Sequence, residues 1–295
     1  MQVWLNGKFV QRDAAMVSAF DAGMQHGIGL FETCLARNET VFRAQTHTRR
    51  LVASAQELLL SNTLRAEPLA EAMQNAVEHN ELDEARVRLT VTGGDLSLTA
   101  ARRQHRVDPT ILIDLQPPTV YPDAFFEDGV MVTIAEGRLN PTSPMAGHKT
   151  LNYWPRIHTL QHAAAAKAGE ALWFTVTNHL ACGCVSNVFV VLDGVLALPF
   201  ARGEEPVDSV GPTVLPGTTR AAILELCEGL GIEIRRCTLD IKQLLSADEV
   251  FLTNSSWGVL PVVAVEKKKI GSGAVGEMTA RLREAWLDLV ERETS

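Results

Sequence analysis

Lys149 lies in Gly147-His148-Lys149-Thr150-Leu151-Asn152-Tyr153, between an irregular loop and an apolar, helix-forming stretch. A lysine amine withdrawn from water at such a place gives up its proton more readily and becomes a nucleophile for carbonyl carbon. Taken alone, the same lysine reads as a solvated surface charge. Three further segments carry groups suited to an anion. Leu215-Pro216-Gly217-Thr218-Thr219-Arg220 runs directly into a helix, where unpaired backbone N–H groups and the helix dipole favour phosphate. As plain structure, Thr218 would be the helix cap. In Asn254-Ser255-Ser256, hydroxyls at the end of a strand serve either a ligand or a turn. Arg50, in His47-Thr48-Arg49-Arg50-Leu51 at the start of a helix, has the fork to hold a phosphate in a two-pronged contact, or is a surface charge.

The elements that position these residues follow from periodicity and punctuation. Asn6-Gly7 between short apolar runs predicts a hairpin over 3–10 with a type I′ turn. Leu51, Ala55, Leu58 and Leu59 share one face of a helix over 47–61, and a second helix spans 68–79. Strands are expected over 87–92 and 110–115. Three prolines within 116–122 can continue neither a ladder nor a helix. The division is therefore a first domain over 1–116, a linker over 117–129 and a second, larger domain over 130–295. In the second domain, strands are expected over 130–135, 171–177, 187–192, 195–198 and 249–253. Helices are expected over 152–167, 219–231 and 275–291, and a loop over 201–217. Helices and strands mix without strict alternation, so the class is α+β.

Bulk properties narrow the function classes. The 295 residues are 46% hydrophobic and 21% charged, the balance of a soluble globular protein with a sizeable core. A net charge of −8 argues against a nucleic-acid partner. No stretch is long and apolar enough to span a membrane, and the N-terminal residues lack the pattern of a signal peptide. Five cysteines without paired zinc spacing read as free thiols in a cytoplasmic protein with no metal centre, although Cys182-Gly183-Cys184 has the look of half a metal site.

In their order and spacing these segments resemble the class IV aminotransferase family, which includes branched-chain aminotransferases, D-amino acid aminotransferases and aminodeoxychorismate lyases. The resemblance begins at Asp21-Ala22-Gly23 and Gly27-Ile28-Gly29-Leu30-Phe31-Glu32-Thr33 and continues through His47…Arg50-Leu51 and Lys149-Thr150-Leu151-Asn152-Tyr153. It then takes in Ser186-Asn187-Val188-Phe189, Leu215 to Arg220, Ala247 to Asn254 and Pro261-Val262. It implies the two-domain, D-amino acid aminotransferase-like fold: a small α/β domain and a larger barrel-like one. It implies a homodimer and pyridoxal 5′-phosphate (PLP) as cofactor. Lys149 would be the Schiff-base lysine and proton carrier, Arg50 the phosphate arginine, and Thr218, Thr219 and Ser255 further phosphate contacts, with Asn187 beside the cofactor. Phe31, Arg102 and His105 are the candidate substrate contacts. An arginine suits a substrate carboxylate, but the stretch 101–106 also reads as a solvated loop.

This sequence departs from the family at one chemically important place. The family carries a glutamate before Ser186-Asn187 that pairs with the pyridine nitrogen of PLP and keeps it protonated, a strong electron sink. The equivalent position here is Cys182. A thiol is a weak donor and a weak acceptor. Glu170 and Asp193 are the nearest alternative carboxylates and stand far along the chain. Phe31 also replaces a tyrosine that touches substrate in some members, which weakens a D-amino acid reading, and Ile28 replaces a common acidic residue.

The leading expectation is an aminotransferase moving an amino group between an amino acid and a 2-oxo acid. The second is a lyase resembling aminodeoxychorismate lyase, giving 4-aminobenzoate and pyruvate, to which Phe251 to Ser255 and Gly258 to Val262 look closer. The third, prompted by Cys182, is a degenerate member that binds without turnover.

Overall fold

The computed structural model describes residues 1–95, 108–206, 211 and 213–295. The chain divides into two compact units. The first comprises Met1–Thr119, His148–Tyr153 and Val290–Ser295; the second comprises Val120–Gly147 and Trp154–Leu289.

The first unit opens with the hairpin of β1 (Gln2–Leu5) and β2 (Lys8–Gln11), turned by Asn6 (φ 47°) and Gly7 (φ 91°). Left-handed conformations at both central residues are what a type I′ turn requires. There follow α1 (Ala22–His26), β3 (Gly29–Arg37), β4 (Thr40–Val41), α2 (Ala44–Glu57), α3 (Ala66–His79), β5 (Ala85–Thr92) and β6 (Ile111–Gln116). The six strands form one antiparallel sheet in the order β2-β1-β6-β5-β3-β4. Leu30, Cys34 and Ala36 of β3 and Val87, Leu89 and Val91 of β5 are buried with Leu51 and Ala55 of α2 and Met73, Ala76 and Val77 of α3. Successive strand residues point to opposite faces. The even-numbered β3 residues therefore face the helices, and Phe31 and Thr33 face the other way.

The second unit holds α4 (Ala124–Glu127), β7 (Val130–Leu139), α5 (Trp154–Ala165), β8 (Glu170–Thr175), β9 (Leu180–Gly183), β10 (Asn187–Leu192) and β11 (Val195–Leu198). It continues with α6 (Thr218–Leu230), β12 (Ile234–Arg236), α7 (Ile241–Leu245), β13 (Glu249–Asn254), β14 (Gly258–Val265), β15 (Lys268–Lys269) and α8 (Glu277–Thr294), whose last turn belongs to the first unit. Its sheet runs β12-β11-β10-β13-β14-β7-β8-β9, with β15 on β14. It is mixed: β14 with β7, β7 with β8 and β11 with β12 are parallel, and the other pairs antiparallel. It curls as a half barrel, and the α+β class holds. Val188, Val190, Val250, Leu252, Leu260 and Val262 form its core with Leu239 and Leu244.

Strands β3, β4, β9, β12, β14 and β15 and the short helices α1, α4 and α7 are not among the expected elements. β3 opens on a glycine run that reads as a loop, and β9 is only four residues long. No helix of the described residues is long and apolar enough to cross a membrane.

Candidate active site

In the first unit, Lys149 reaches the sheet because its segment pairs with the open edge of β3. Phe31 N–H donates to Lys149 O (3.0 Å), Leu151 N–H donates to Gly29 O (2.9 Å), and Leu30 and Thr150 form an antiparallel bridge. Gly29 permits this approach: a Cβ there would lie 2.6 Å from both Leu151 Cδ1 and Val91 O. Lys149 Nζ then sits 4.4 Å from the centroid of the Phe31 ring and 5.6 Å from that of Tyr153. The two rings meet edge to face at 5.1 Å. Arg88 joins from β5, its Cζ 4.0 Å from the Phe31 centroid. One aromatic ring thus faces both basic side chains, and positive charge over its face is attracted by its quadrupole.

Burial and the neighbouring Arg86 both lower the Arg88 pKa. Arg88 makes no ion pair or hydrogen bond with the described residues. Asp114, opposite it in the ladder, is 3.5 Å from Arg12. A partly desolvated guanidinium without a carboxylate is a seat for an anion.

Across β3, Glu32 is fully buried against α2. Arg50 grips it with both prongs, Nε to Oε1 at 2.9 Å and Nη2 to Oε2, and His47 Nδ1 lies 2.9 Å from Oε2. Burial pushes the Glu32 carboxyl up, but the Arg50 charge and the His47 contact override it and hold the pKa at about 2. Burial lowers the His47 pKa, partly offset by Glu32. Arg50 is therefore one half of a buried ion pair, not a surface charge.

In the second unit the candidate residues are hydroxyls, an amide and a thiol. α6 starts after Gly217, which is the N-cap and offers no side-chain cap. Thr218 is thus the first helical residue, and the reading of it as the cap is corrected. A residue with helical φ/ψ cannot fold its hydroxyl back as an N-cap does. Thr218 and Thr219 are each 4% exposed, and the buried Thr218 Oγ1 has no hydrogen-bond partner among the described residues. Asn187, at the start of β10, donates from Nδ2 to Leu215 O (2.9 Å) and so ties the loop before α6 to the sheet. Gly217 is required beside it, since a Cβ there would lie 2.0 Å from Asn187 Oδ1. Arg220 is buried and paired with Glu204, Nη1 to Oε1 at 2.8 Å. Ser255 lies in the turn after β13, where Asn254 Oδ1 accepts from the N–H groups of Ser256 (2.8 Å) and Trp257 (3.0 Å).

Cys182 is 4% exposed at the end of β9. The turn that follows is held by Glu170, whose Oε1 accepts from Ala171 N–H (3.0 Å) and Cys184 N–H (3.1 Å). Its Oε2 accepts from Val185 N–H (3.2 Å) and from Ser186 Oγ–H (3.1 Å). Glu170 thus reaches this segment despite its distance along the chain, as an acceptor for backbone. Its pKa is raised, by burial first, with the backbone hydrogen bonds opposing. Cys184 Sγ accepts from Trp173 Nε1–H (3.3 Å), and burial and then Glu170 push its thiol pKa far up, so it is not a ready metal ligand.

Lys149, Phe31 and Arg50 thus lie in the first unit, and Cys182, Asn187, Thr218, Thr219 and Ser255 in the second. Arg102 and His105 lie outside the described residues. Sequence reasoning missed Arg88, Arg156 and the partners of Glu32, and set Glu170 aside on its distance along the chain. The signal for Arg88 was present in Arg86-Val87-Arg88-Leu89: two cations on one face of a strand whose other face is core.

Residues 29–265 match the family model described as amino-transferase class IV. A putative branched-chain-amino-acid aminotransferase of Methanocaldococcus jannaschii is 32% identical over 98% of this chain and 96% of its own length. Among solved structures, the branched-chain amino acid aminotransferase of Escherichia coli superposes with a TM-score of 0.89 at 26% identity, covering 100% of this chain and 96% of that one. The 4-amino-4-deoxychorismate lyase of Pseudomonas aeruginosa superposes with a TM-score of 0.83 at 28% identity, covering 97% and 98%. The chain belongs to the class IV aminotransferase family.

Proposed function

We propose that this enzyme is a PLP-dependent aminotransferase that moves an amino group between an amino acid and a 2-oxo acid. The observation that carries the reading is Lys149 Nζ held 4.4 Å from the Phe31 ring beside the cationic Arg88. The phosphate end of the cofactor fits the chain: the buried Thr218 hydroxyl lacks a partner at the start of α6, where backbone donors and dipole favour an anion. Within the second unit Thr219 and Ser255 would complete that contact, and Asn187 fixes the loop that leads into Thr218; Arg50, paired with Glu32, is the phosphate arginine by resemblance to the family. The pyridine-nitrogen end departs from the family, with Cys182 where a carboxylate would stand. When bound, PLP supplies an electron-withdrawing ring that accepts charge from the substrate.

Lys149 would hold the cofactor through its amine, and the same amine would move the proton at the substrate Cα. Phe31 and Tyr153 border its amine with apolar surface and limit access of water. Arg88 receives a substrate carboxylate. Exposed Met16 (81%), Phe20 (67%) and Met24 (76%), close together in sequence, suit burial in a homodimer. The five free thiols suit a reducing cytoplasm.

The test is the absorbance spectrum after incubation with PLP and dialysis, for wild type and Lys149→Ala. A band that borohydride abolishes, absent from the variant, is expected; a featureless wild-type spectrum overturns the reading. Amino transfer that depends on a 2-oxo acid supports the aminotransferase. Pyruvate release from aminodeoxychorismate without an acceptor would assign the lyase reaction instead.

A further inference from the structure

Cys182 is the last residue but one of β9, opposite Trp173 in the β8–β9 ladder. Arg156, in the first turn of α5, extends to it. Its Nη1 lies 3.5 Å from Cys182 Sγ and also donates to Gly183 O (2.9 Å) and Cys184 O (3.1 Å). One guanidinium therefore clamps the turn and sets a fixed positive charge against the sulfur. The last strand residue before the turn admits no side chain, because a Cβ on Gly183 would lie 2.1 Å from Ser186 Oγ and 2.9 Å from Glu170 Oε2. The buried carboxyl of the segment, Glu170, accepts from Ala171, Cys184, Val185 and Ser186.

We infer that Arg156 is a positioning residue that turns Cys182 into a cation-backed hydrogen-bond donor, so that the cofactor's ring nitrogen is held without a proton. The inference rests on the proposed seating of that nitrogen against Cys182. Two physical effects point the same way. The sulfur accepts from Arg156, which leaves its S–H to donate, and a donor requires an unprotonated nitrogen opposite it. A guanidinium behind the sulfur also repels a pyridinium, where a carboxylate would attract one. The ring is then a weaker electron sink than in a carboxylate-paired site. More of the work of moving the Cα proton falls to Lys149.

The test is nitrogen-15 NMR of holoenzyme reconstituted with PLP labelled at the ring nitrogen, with the absorbance spectrum recorded on the same samples. Wild type, Arg156→Gln, Arg156→Lys and Cys182→Glu are compared across the pH range in which each is folded. Wild type is expected to give the unprotonated resonance throughout, and Cys182→Glu the protonated one. Arg156→Gln should move toward the protonated position at the acid end, and Arg156→Lys should keep the wild-type signal. A purely structural role for Arg156 would lower stability in both Arg156 variants without moving the resonance in Arg156→Gln, and that result overturns the inference. So does a protonated resonance in wild type. An absorbance band with a protonated nitrogen sinks this inference alone; no band at all sinks the proposed function with it. Should Cys182→Glu fail to fold, the Arg156→Gln comparison decides.

Discussion

Each unit buries one glutamate completely, and the two behave in opposite ways. Glu32 is 1% exposed and is held at about 2; Glu170 is 0% exposed and is raised. Burial pushes both upward, so depth cannot be the difference. Glu32 has the Arg50 guanidinium and His47 against it, whereas Glu170 has backbone N–H groups and a hydroxyl. At Glu32 full charges on the partners outweigh desolvation, and at Glu170 the neutral dipoles do not. The first unit, which carries Lys149, is built around ionised groups. The second surrounds its buried acid with neutral donors, behind the segment that carries Cys182.

The strongest way to break this contrast is to remove the cation. Arg50→Gln leaves Glu32 buried without its counter-charge, a loss of about 3–5 kcal/mol in other buried pairs. Urea unfolding should show a loss of that order, with much of it recovered in the Arg50→Gln, Glu32→Gln double variant. A single-variant loss below about 1 kcal/mol would mean that the pair is solvated.

The next effect is on pH dependence. The folded-state value of Glu32, about 2, lies below its ordinary 4.5, so its contribution is present above 4.5 and is lost as pH falls toward 2. A shift of that size is worth about 3 kcal/mol. Glu32→Gln should therefore flatten the acid limb of stability plotted against pH between those values, whatever it does to absolute stability. The raised Glu170 contributes in the opposite direction, present below 4.5 and lost as pH rises past it. An unchanged acid limb in Glu32→Gln would show that Glu32 is not ionised in the folded protein.

The two regions also differ in how far the sequence discloses them. Hairpin, helices and most strands were legible because their periods and turn residues are local: Asn6-Gly7 and Asp193-Gly194 name their own turns. The departure at Cys182 was legible by counting back from Asn187. The contact between Arg156 and Cys182 spans 26 residues and depends on the α5 start meeting the β9 end, which no local pattern encodes. Glu170 was discounted on chain distance, yet the β8–β9 pairing folds it back onto Cys184. β3 went unread because its first four residues are buried on both faces and show no alternation. Lys149 was identifiable as reactive, but its placement with the first unit depends on the bridge between Leu30 and Thr150.

A smaller effect sharpens the contrast at the substrate. Arg88 lacks the carboxylate partner that Arg50 has, so Arg88→Leu should cost little stability. In kinetics, loss of a charge-assisted contact to a carboxylate is worth about 1.5–3 kcal/mol, a tenfold or greater rise in KM for a substrate that uses it. Comparing a dicarboxylic amino acid with an aliphatic one separates the cases. An effect confined to the dicarboxylic substrate assigns Arg88 to the side chain, and an equal effect on both assigns it to the common carboxylate. No effect on either removes Arg88 from the site.

The smallest expected change is at Glu170. A proton on Oε2 would reverse the Ser186 contact, with the carboxyl O–H donating to Ser186 Oγ, and Glu170→Gln would then place an amide NH₂ where that O–H donated. The remaining cost is Val185 N–H losing its acceptor, about 1 kcal/mol. Were Glu170 ionised instead, the substitution would set an NH₂ against two groups that both need an acceptor, and the loss would exceed about 2 kcal/mol. Urea unfolding at neutral pH distinguishes the two. A small loss supports the neutral carboxyl, and with it an uncharged setting for Cys182 apart from Arg156. A large one would place a carboxylate charge behind the turn that holds Cys182, opposing the field of Arg156 on the sulfur.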